Sequence, residues 1–256
     1  MKKKRLIFTL LHNNGGYMLS RNFRLQRVGD ANWINRNYNF GKIAFSIDEL
    51  IILDVTRESR NIEKFIESYK KIIPNVFVPI SIGGGIRSYE DAKTLFLNGA
   101  DKVVINTCIY KNPKLIEELA KDYGAQSIVA SIDYIEEDGA FSCYVENGEE
   151  KLPLTLEEYL HRVQNMPVGE IYLNSIRKDG TGFGYNMNTI PFIDGISMPV
   201  IMAGGAGNEE HFVKAILASD NIDAVATANL FNFIGNALPN SRKVLMEQTG
   251  LFAKFK

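Results

Sequence analysis

Short apolar runs recur along the chain, each ending at a glycine or a polar residue. They fall at 6–11, 50–55, 76–82, 103–105, 127–133, 170–175, 200–203 and 224–228. Their length and their β-branched content predict strands. The segments between most of them carry helical spacing instead. In 62–72 the apolar positions Ile62, Phe65, Ile66, Tyr69 and Ile72 lie on one helical face. Asn112 with Pro113 opens a helix over 113–123, and Ser88 with Asp91 caps another after the third strand. Helices are also predicted over 33–45 and 155–163, with Leu230-Phe231-Asn232-Phe233 opening the last one. Two stretches break the alternation. Residues 12–30 form a long polar run with Gly15-Gly16 at its expected tip, predicting a lid over a barrel mouth. The turns Glu136-Glu137-Asp138-Gly139 and Asn147-Gly148-Glu149-Glu150 predict a small hairpin after the fifth strand.

Strands alternate with helices from end to end, and no Pro/Gly/Ser-rich linker divides the chain. That predicts an α/β fold, one (β/α)8 TIM barrel spanning residues 1–256. The chain also repeats itself at an offset of roughly 120 residues. Pro79-Ile-Ser-Ile-Gly-Gly84-Gly85 matches Pro199-Val-Ile-Met-Ala-Gly204-Gly205, and Glu49-Leu-Ile-Ile-Leu-Asp54 matches Glu170-Ile-Tyr-Leu-Asn174-Ser175. The barrel is therefore expected to consist of two duplicated half-barrels, about 1–124 and 125–256.

Composition narrows the function. With 29 basic and 30 acidic residues the net charge is −1, which gives no electrostatic case for nucleic acid or an anionic membrane as partner. No apolar run approaches about 18 residues, so no transmembrane helix is expected. The basic start followed by apolar residues is read as the first strand, since His12-Asn13-Asn14-Gly15 interrupts the run. Cys108 and Cys143 are too few for a disulfide framework or a zinc site, and a reducing cytoplasmic setting is expected, with no metal and no cofactor.

In a (β/α)8 barrel, chemistry collects at the C-terminal ends of the strands. Two groups there suit phosphate, through glycine N–H groups and short polar side chains. One is Gly84 and Gly85 with Asn106 and Thr107. The other is Asp179, Gly180 and Thr181 with Gly204, Gly205, Ala228 and Asn229. Two anion sites across one mouth predict a small molecule phosphorylated at both ends.

These motifs resemble the cyclase subunit of imidazole glycerol phosphate synthase, the HisF family. The resemblance rests on Asp48-Glu49-Leu-Ile-Ile-Leu-Asp54, Gly83-Gly-Gly-Ile-Arg87-Ser, Asn98-Gly-Ala-Asp-Lys102-Val-Val-Ile-Asn106-Thr107, Gly169-Glu170-Ile-Tyr-Leu-Asn174-Ser175, Asp179-Gly-Thr181 and Gly204-Gly-Ala-Gly-Asn208, and it covers nearly the whole chain. It implies a glutaminase partner (HisH-like) at the N-terminal face and ammonia passing through the barrel to a bisphosphorylated ribulosyl intermediate. It also implies a pair of catalytic aspartates ending strands 1 and 5. Asp133 keeps the second, whereas the first position holds Leu11, which cannot move a proton. Further departures are Leu19 for a lysine, Asn229 for a serine and Arg177 for an acid. The ring expected to gate ammonia is kept as Arg5, Glu49, Lys102 and Glu170, and Asp101 and Gln126 match positions that meet the glutaminase.

A retained entrance with an altered mouth resembles the HisF-like proteins of acetamidino-sugar modification. The leading expectation is thus an ammonia-channelling subunit for amidination of a surface sugar, with a sugar amidotransferase as a further partner. The alternatives are a working imidazole glycerol phosphate cyclase and a barrel that only activates its glutaminase. His12, next to the lost aspartate, is a candidate substitute base.

Overall fold

The computed structural model describes residues 3–38, 45–229, 232 and 235–253. The strands are β1 Arg5–Asn13, β2 Gly16–Arg21, β3 Arg24–Gly29, β4 Glu49–Asp54, β5 Ile80–Gly83, β6 Lys102–Ile105, β7 Ile128–Glu137, β8 Ala140–Val145, β9 Glu150–Thr155, β10 Glu170–Ser175, β11 Val200–Ala203 and β12 Ile222–Thr227. The helices are α1 Ala31–Asn37, α2 Ile62–Tyr69, α3 Tyr89–Leu97, α4 Thr107–Lys111, α5 Pro113–Tyr123, α6 Leu156–Val163, α7 Ile190–Asp194, α8 Glu209–Ala218 and α9 Ala237–Thr249. The parallel strands run in the order β10-β11-β12-β1-β4-β5-β6-β7, and β7 pairs with β10 to close the barrel. The TIM barrel expected from the alternating pattern is the fold observed. Among the described residues, no helix is long and apolar enough to cross a membrane.

Burial follows the two-residue period of the strands. One set of side chains faces the helices: Leu6, Phe8, Leu10, Leu50, Ile52, Ile128 and Ile132 belong to a large outer core with Phe65, Ile116, Leu160 and Phe212 from the helices. The alternate set faces the lumen, where Ile7, Ile51, Val104, Val129, Tyr172, Ile201, Ala203, Ala224 and Ala226 form a second apolar cluster. Helix starts are fixed locally. Ser88 and Asp91 make a reciprocal capping box at α3, and Thr155 and Glu158 make another at α6.

Several expectations change. Residues 12–30 are sheet, not loop. β1 runs on to Asn13, turns at Asn14-Gly15 and pairs antiparallel with β2, which pairs with β3. Asn14 and Gly15 both have positive φ (46° and 77°), the turn that suits a right-twisted hairpin, so Gly15-Gly16 is not the tip. The distal turn is Asn22-Phe23. The strand predicted over 76–82 starts only at Ile80, because Pro79 has no N–H to give to a ladder. The helix predicted over 62–72 ends at Tyr69 and passes into a 3-10 turn, Ile73–Asn75, that contains Pro74. The helix predicted over 33–45 starts earlier, at Ala31, on the Asp30 cap and ends at Asn37. Its residues 39–44, and Leu230, Phe231 and Phe233 of the last predicted helix, lie outside the described residues. The hairpin predicted after the fifth strand is present and larger, with β7, β8 and β9 forming a three-stranded extension above the barrel.

Candidate active site

A cavity of about 160 Å³ opens at the C-terminal ends of the barrel strands. Its wall brings together Gly84, Gly85, Asn106 and Thr107 from the first half with Asp179, Gly180, Gly204, Gly205, Ala228 and Asn229 from the second. Asp133, Asn174, Leu11, Tyr172 and Asp54 share the wall. Thr181, expected in the second set, is absent from the wall; its hydroxyl donates to the Lys178 carbonyl at 2.7 Å.

Asp133 ends the lumen-facing row of β7. Its two carboxylate oxygens each take one amide hydrogen, from Asn106 Nδ2 at 2.8 Å and from Asn174 Nδ2 at 3.0 Å. Burial pushes its pKa up to about 7. The Asn174 hydrogen bond opposes that rise, the nearby Asp179 carboxylate adds to it, and the Asn106 bond opposes it again. A carboxyl group titrating there can take or give a proton at neutral pH. Leu11 lies on the wall from β1, across the barrel from β7, and supplies no second titrating group.

The two phosphate-type sets are built differently. In the first half, Gly84 and Gly85 have positive φ and turn the chain sharply at the end of β5. The Thr107 hydroxyl accepts from the Glu146 N–H at 3.2 Å, which ties the β8–β9 turn to this rim. Asn106 Oδ1 is buried with no hydrogen-bond partner among the described residues. In the second half, the β2–β3 hairpin closes directly onto Asp179-Gly180. The Ser20 hydroxyl donates to the Asp179 carboxylate, and the Phe23 and Asn22 N–H groups donate to Asp179 Oδ2 and to its carbonyl. A Cβ on Gly180 would sit 1.9 Å from the Ser20 carbonyl oxygen, so only glycine permits that approach.

At the opposite end, the first residues of β1, β4, β6 and β10 are Arg5, Glu49, Lys102 and Glu170. They close an alternating ring. Arg5 pairs with Glu49 at 2.7 Å and with Glu170, while Lys102 pairs with Glu49 at 3.1 Å and Glu170 at 2.6 Å. Burial raises the pKa of Glu170, but Arg5 and Lys102 outweigh it and the group titrates below its usual range. The apolar lumen lies above this floor, interrupted by the Tyr172 hydroxyl 3.4 Å from Thr9 Oγ1. Asp101 and Gln126 stay outside the ring. The Asp101 carboxylate accepts from the Ile80 N–H, and the Gln126 amide donates to the Tyr123 carbonyl.

His12 is not on the cavity wall. It is buried on the outer side of β1, against the rings of Phe65 and Tyr17, with Nδ1 3.4 Å from Asp54. It cannot act as a base at the mouth from there, because alternate residues of a strand face opposite sides. Asp54 does reach the cavity. Burial raises its pKa, yet hydrogen bonds from His12 and Thr56 outweigh this and hold it below the usual carboxylate value. Cys108 is a packing residue whose thiol donates to the Ile86 carbonyl. Tyr17 is fully buried in the outer core, whereas Phe23 reaches the cavity. Sequence reasoning missed Arg57, Arg60 and Arg87 on the first-half wall. It also missed the support that Asn174 gives Asp133, although Glu170, Tyr172 and Asn174 alternate onto one face of a single strand.

A profile of the histidine biosynthesis protein family matches residues 40–235. A protein of Parasynechococcus marenigrum, provisionally named imidazole glycerol phosphate synthase subunit hisF2, is 48% identical over 95% of this chain and 90% of its own. The imidazole glycerol phosphate synthase subunit HisF of Pyrobaculum aerophilum is 41% identical over 78% of this chain and 79% of its own. That of a Thermotoga species is 36% identical over 91% of this chain and 90% of its own.

Proposed function

We propose that this chain, which belongs to the HisF family of imidazole glycerol phosphate synthase subunits, receives ammonia at the floor of its barrel and adds it to a phosphorylated acceptor at the mouth. The observation that carries this reading is the continuity of three layers: a closed ring of four charges, an apolar lumen, and an aspartate titrating near neutrality above it. Neutral ammonia crosses apolar surroundings at far lower cost than ammonium, so a charged floor under an apolar bore selects the nucleophilic form. A glutaminase seated on the floor would supply it, with Asp101 and Gln126 at the contact face.

At the mouth the lone pair of nitrogen bonds to an acceptor carbonyl carbon. Asp133, ionised, accepts a proton from that nitrogen and returns it to the departing hydroxyl oxygen. Asn106 and Asn174 hold the carboxylate in place for both transfers. With Leu11 opposite, one group serves as both base and acid. The glycine-lined sets at the two sides anchor the phosphates.

The names borne by the relatives favour the ribulosyl acceptor of imidazole glycerol phosphate synthesis over the sugar expected from the sequence. Leu11 keeps a second reading open, in which the same delivered ammonia serves a different acceptor. The test is turnover of the bisphosphorylated ribulosyl intermediate, with ammonium salts and with a co-purified glutaminase plus glutamine. The account expects turnover in both, reduced by about 10²- to 10⁴-fold in Asp133→Asn. A complex that hydrolyses glutamine yet leaves the intermediate untouched would contradict the cyclase reading and favour the other acceptor.

A further inference from the structure

Three arginines stand on the first-half wall of the cavity, and they differ in what holds them. Arg87 is paired with Glu146. Arg57 pairs with Glu149 at 3.4 Å and donates to the Phe23 carbonyl at 2.6 Å, which fastens the β2–β3 hairpin across the mouth. Arg60 makes no ion pair among the described residues. Its Nε donates to the Thr56 carbonyl at 2.7 Å, and Nη2 reaches the Asn147 side-chain oxygen at 3.4 Å. Those contacts orient the fork and leave Nη1 over the glycine loop, where a Cβ on Gly85 would lie 2.3 Å from it. Burial lowers the pKa of Arg60 from its usual value, the Asp54 carboxylate raises it and Arg87 lowers it, and the guanidinium stays charged at any working pH.

We propose that Arg60 is the specificity-determining residue of the first-half anion site, where its free guanidinium edge binds the phosphate that the Gly84-Gly85 loop cradles and so selects doubly phosphorylated ligands. The proposal rests on the reading that phosphate is held at this loop. Backbone N–H groups alone offer partial charges. A phosphate dianion also needs a full positive charge, and an arginine fork supplies it with two directed donors. Here the charge is partly desolvated, oriented by two side contacts, near the Asp54 and Glu146 carboxylates but in no ion pair among the described residues. Asn106 Oδ1, buried on the same rim and unpartnered among the described residues, completes the site as an acceptor for a ligand hydroxyl.

The experiment is equilibrium binding by calorimetry at fixed salt, with no ammonia and no glutaminase. The probes are ribulose 1,5-bisphosphate, ribulose 5-phosphate and ribonate 5-phosphate, which carries a carboxylate in place of one phosphate. Wild type should bind the bisphosphate at least about 10-fold more tightly than either other probe. Arg60→Gln should remove most of that preference while changing the monophosphate affinity less than about 3-fold, and Arg60→Lys should restore part of it. Thermal melts establish that the variants are folded. An unchanged preference in Arg60→Gln would overturn the proposal, as would an equal weakening for all three probes. Carboxylate bound as tightly as phosphate would overturn the assignment to phosphate. Should the preference depend on Arg60 while no cyclisation occurs, the proposed function falls and this site stands. Should cyclisation proceed with Arg60→Gln indifferent, the reverse holds.

Discussion

Asp133 shows how much one position carries. Its folded-state pKa lies near 7, well above that of an exposed aspartate. The folded protein therefore binds a proton that the unfolded chain has already released between about pH 4 and pH 7. Stability from this group is complete below the unfolded pKa and is lost as pH rises through about 7. Asp133→Asn removes the titration, so its denaturant midpoint should fall less between pH 5 and pH 8 than that of wild type. Urea titrations at those two pH values check the sign. In the same range the reaction rate should rise with pH, because the base form is the ionised one. Leu11, where the resemblance implies the aspartate of the first strand, was plain in the sequence, because the motifs around it fix the alignment. The arginines were not, because nothing in Thr56-Arg57-Glu58-Ser59-Arg60 tells which guanidinium finds a carboxylate. That is decided by the Glu146–Glu149 turn, about ninety residues away.

The β2–β3 hairpin is the element that changes most between sequence and structure. Its residues are mixed polar, so they suggest loop, yet His12-Asn13-Asn14-Gly15 also holds the Asn-Gly pair that favours a tight hairpin turn. β1 and β2 then pair by register from Leu11↔Met18 to Asn13↔Gly16, and the hairpin becomes an extension of the barrel wall. Its tip is clasped by Ser20 and Asp179 on one side and by Arg57 on the other. Ser20→Ala removes a donor from a buried carboxylate and should cost about 1–3 kcal/mol, concentrated in the hairpin. Hydrogen exchange should show faster amides across residues 16–29, while those of β4 and β10 keep wild-type protection. The segments with strong local signals came through better. Pro113–Tyr123 and Glu170–Ser175 have the bounds that their cap and their apolar run predict. Where a proline intrudes, as at Pro79, the predicted bound moves.

On the scale of the whole molecule, closure of the barrel brings the starts of its strands to one level. Arg5, Glu49, Lys102 and Glu170 begin four strands and meet at one level, a convergence that follows from strand register once the barrel is closed. Glu49 and Glu170 are almost fully buried there, so each depends on both cations. Lys102→Met should destabilise the fold by about 3–5 kcal/mol, because it leaves carboxylate charge buried with half its compensation. Combining it with Glu49→Gln should recover part of that loss, and chemical denaturation of the single and double variants measures it.

The central claim is that nitrogen travels from floor to mouth inside the barrel. The most direct measurement is isotope competition in the complex with its glutaminase, using glutamine labelled with ¹⁵N at the amide and a large excess of unlabelled ammonium in solution. The account predicts product that carries the glutamine label, undiluted by the ammonium outside. Product whose label matches the bulk pool would contradict it.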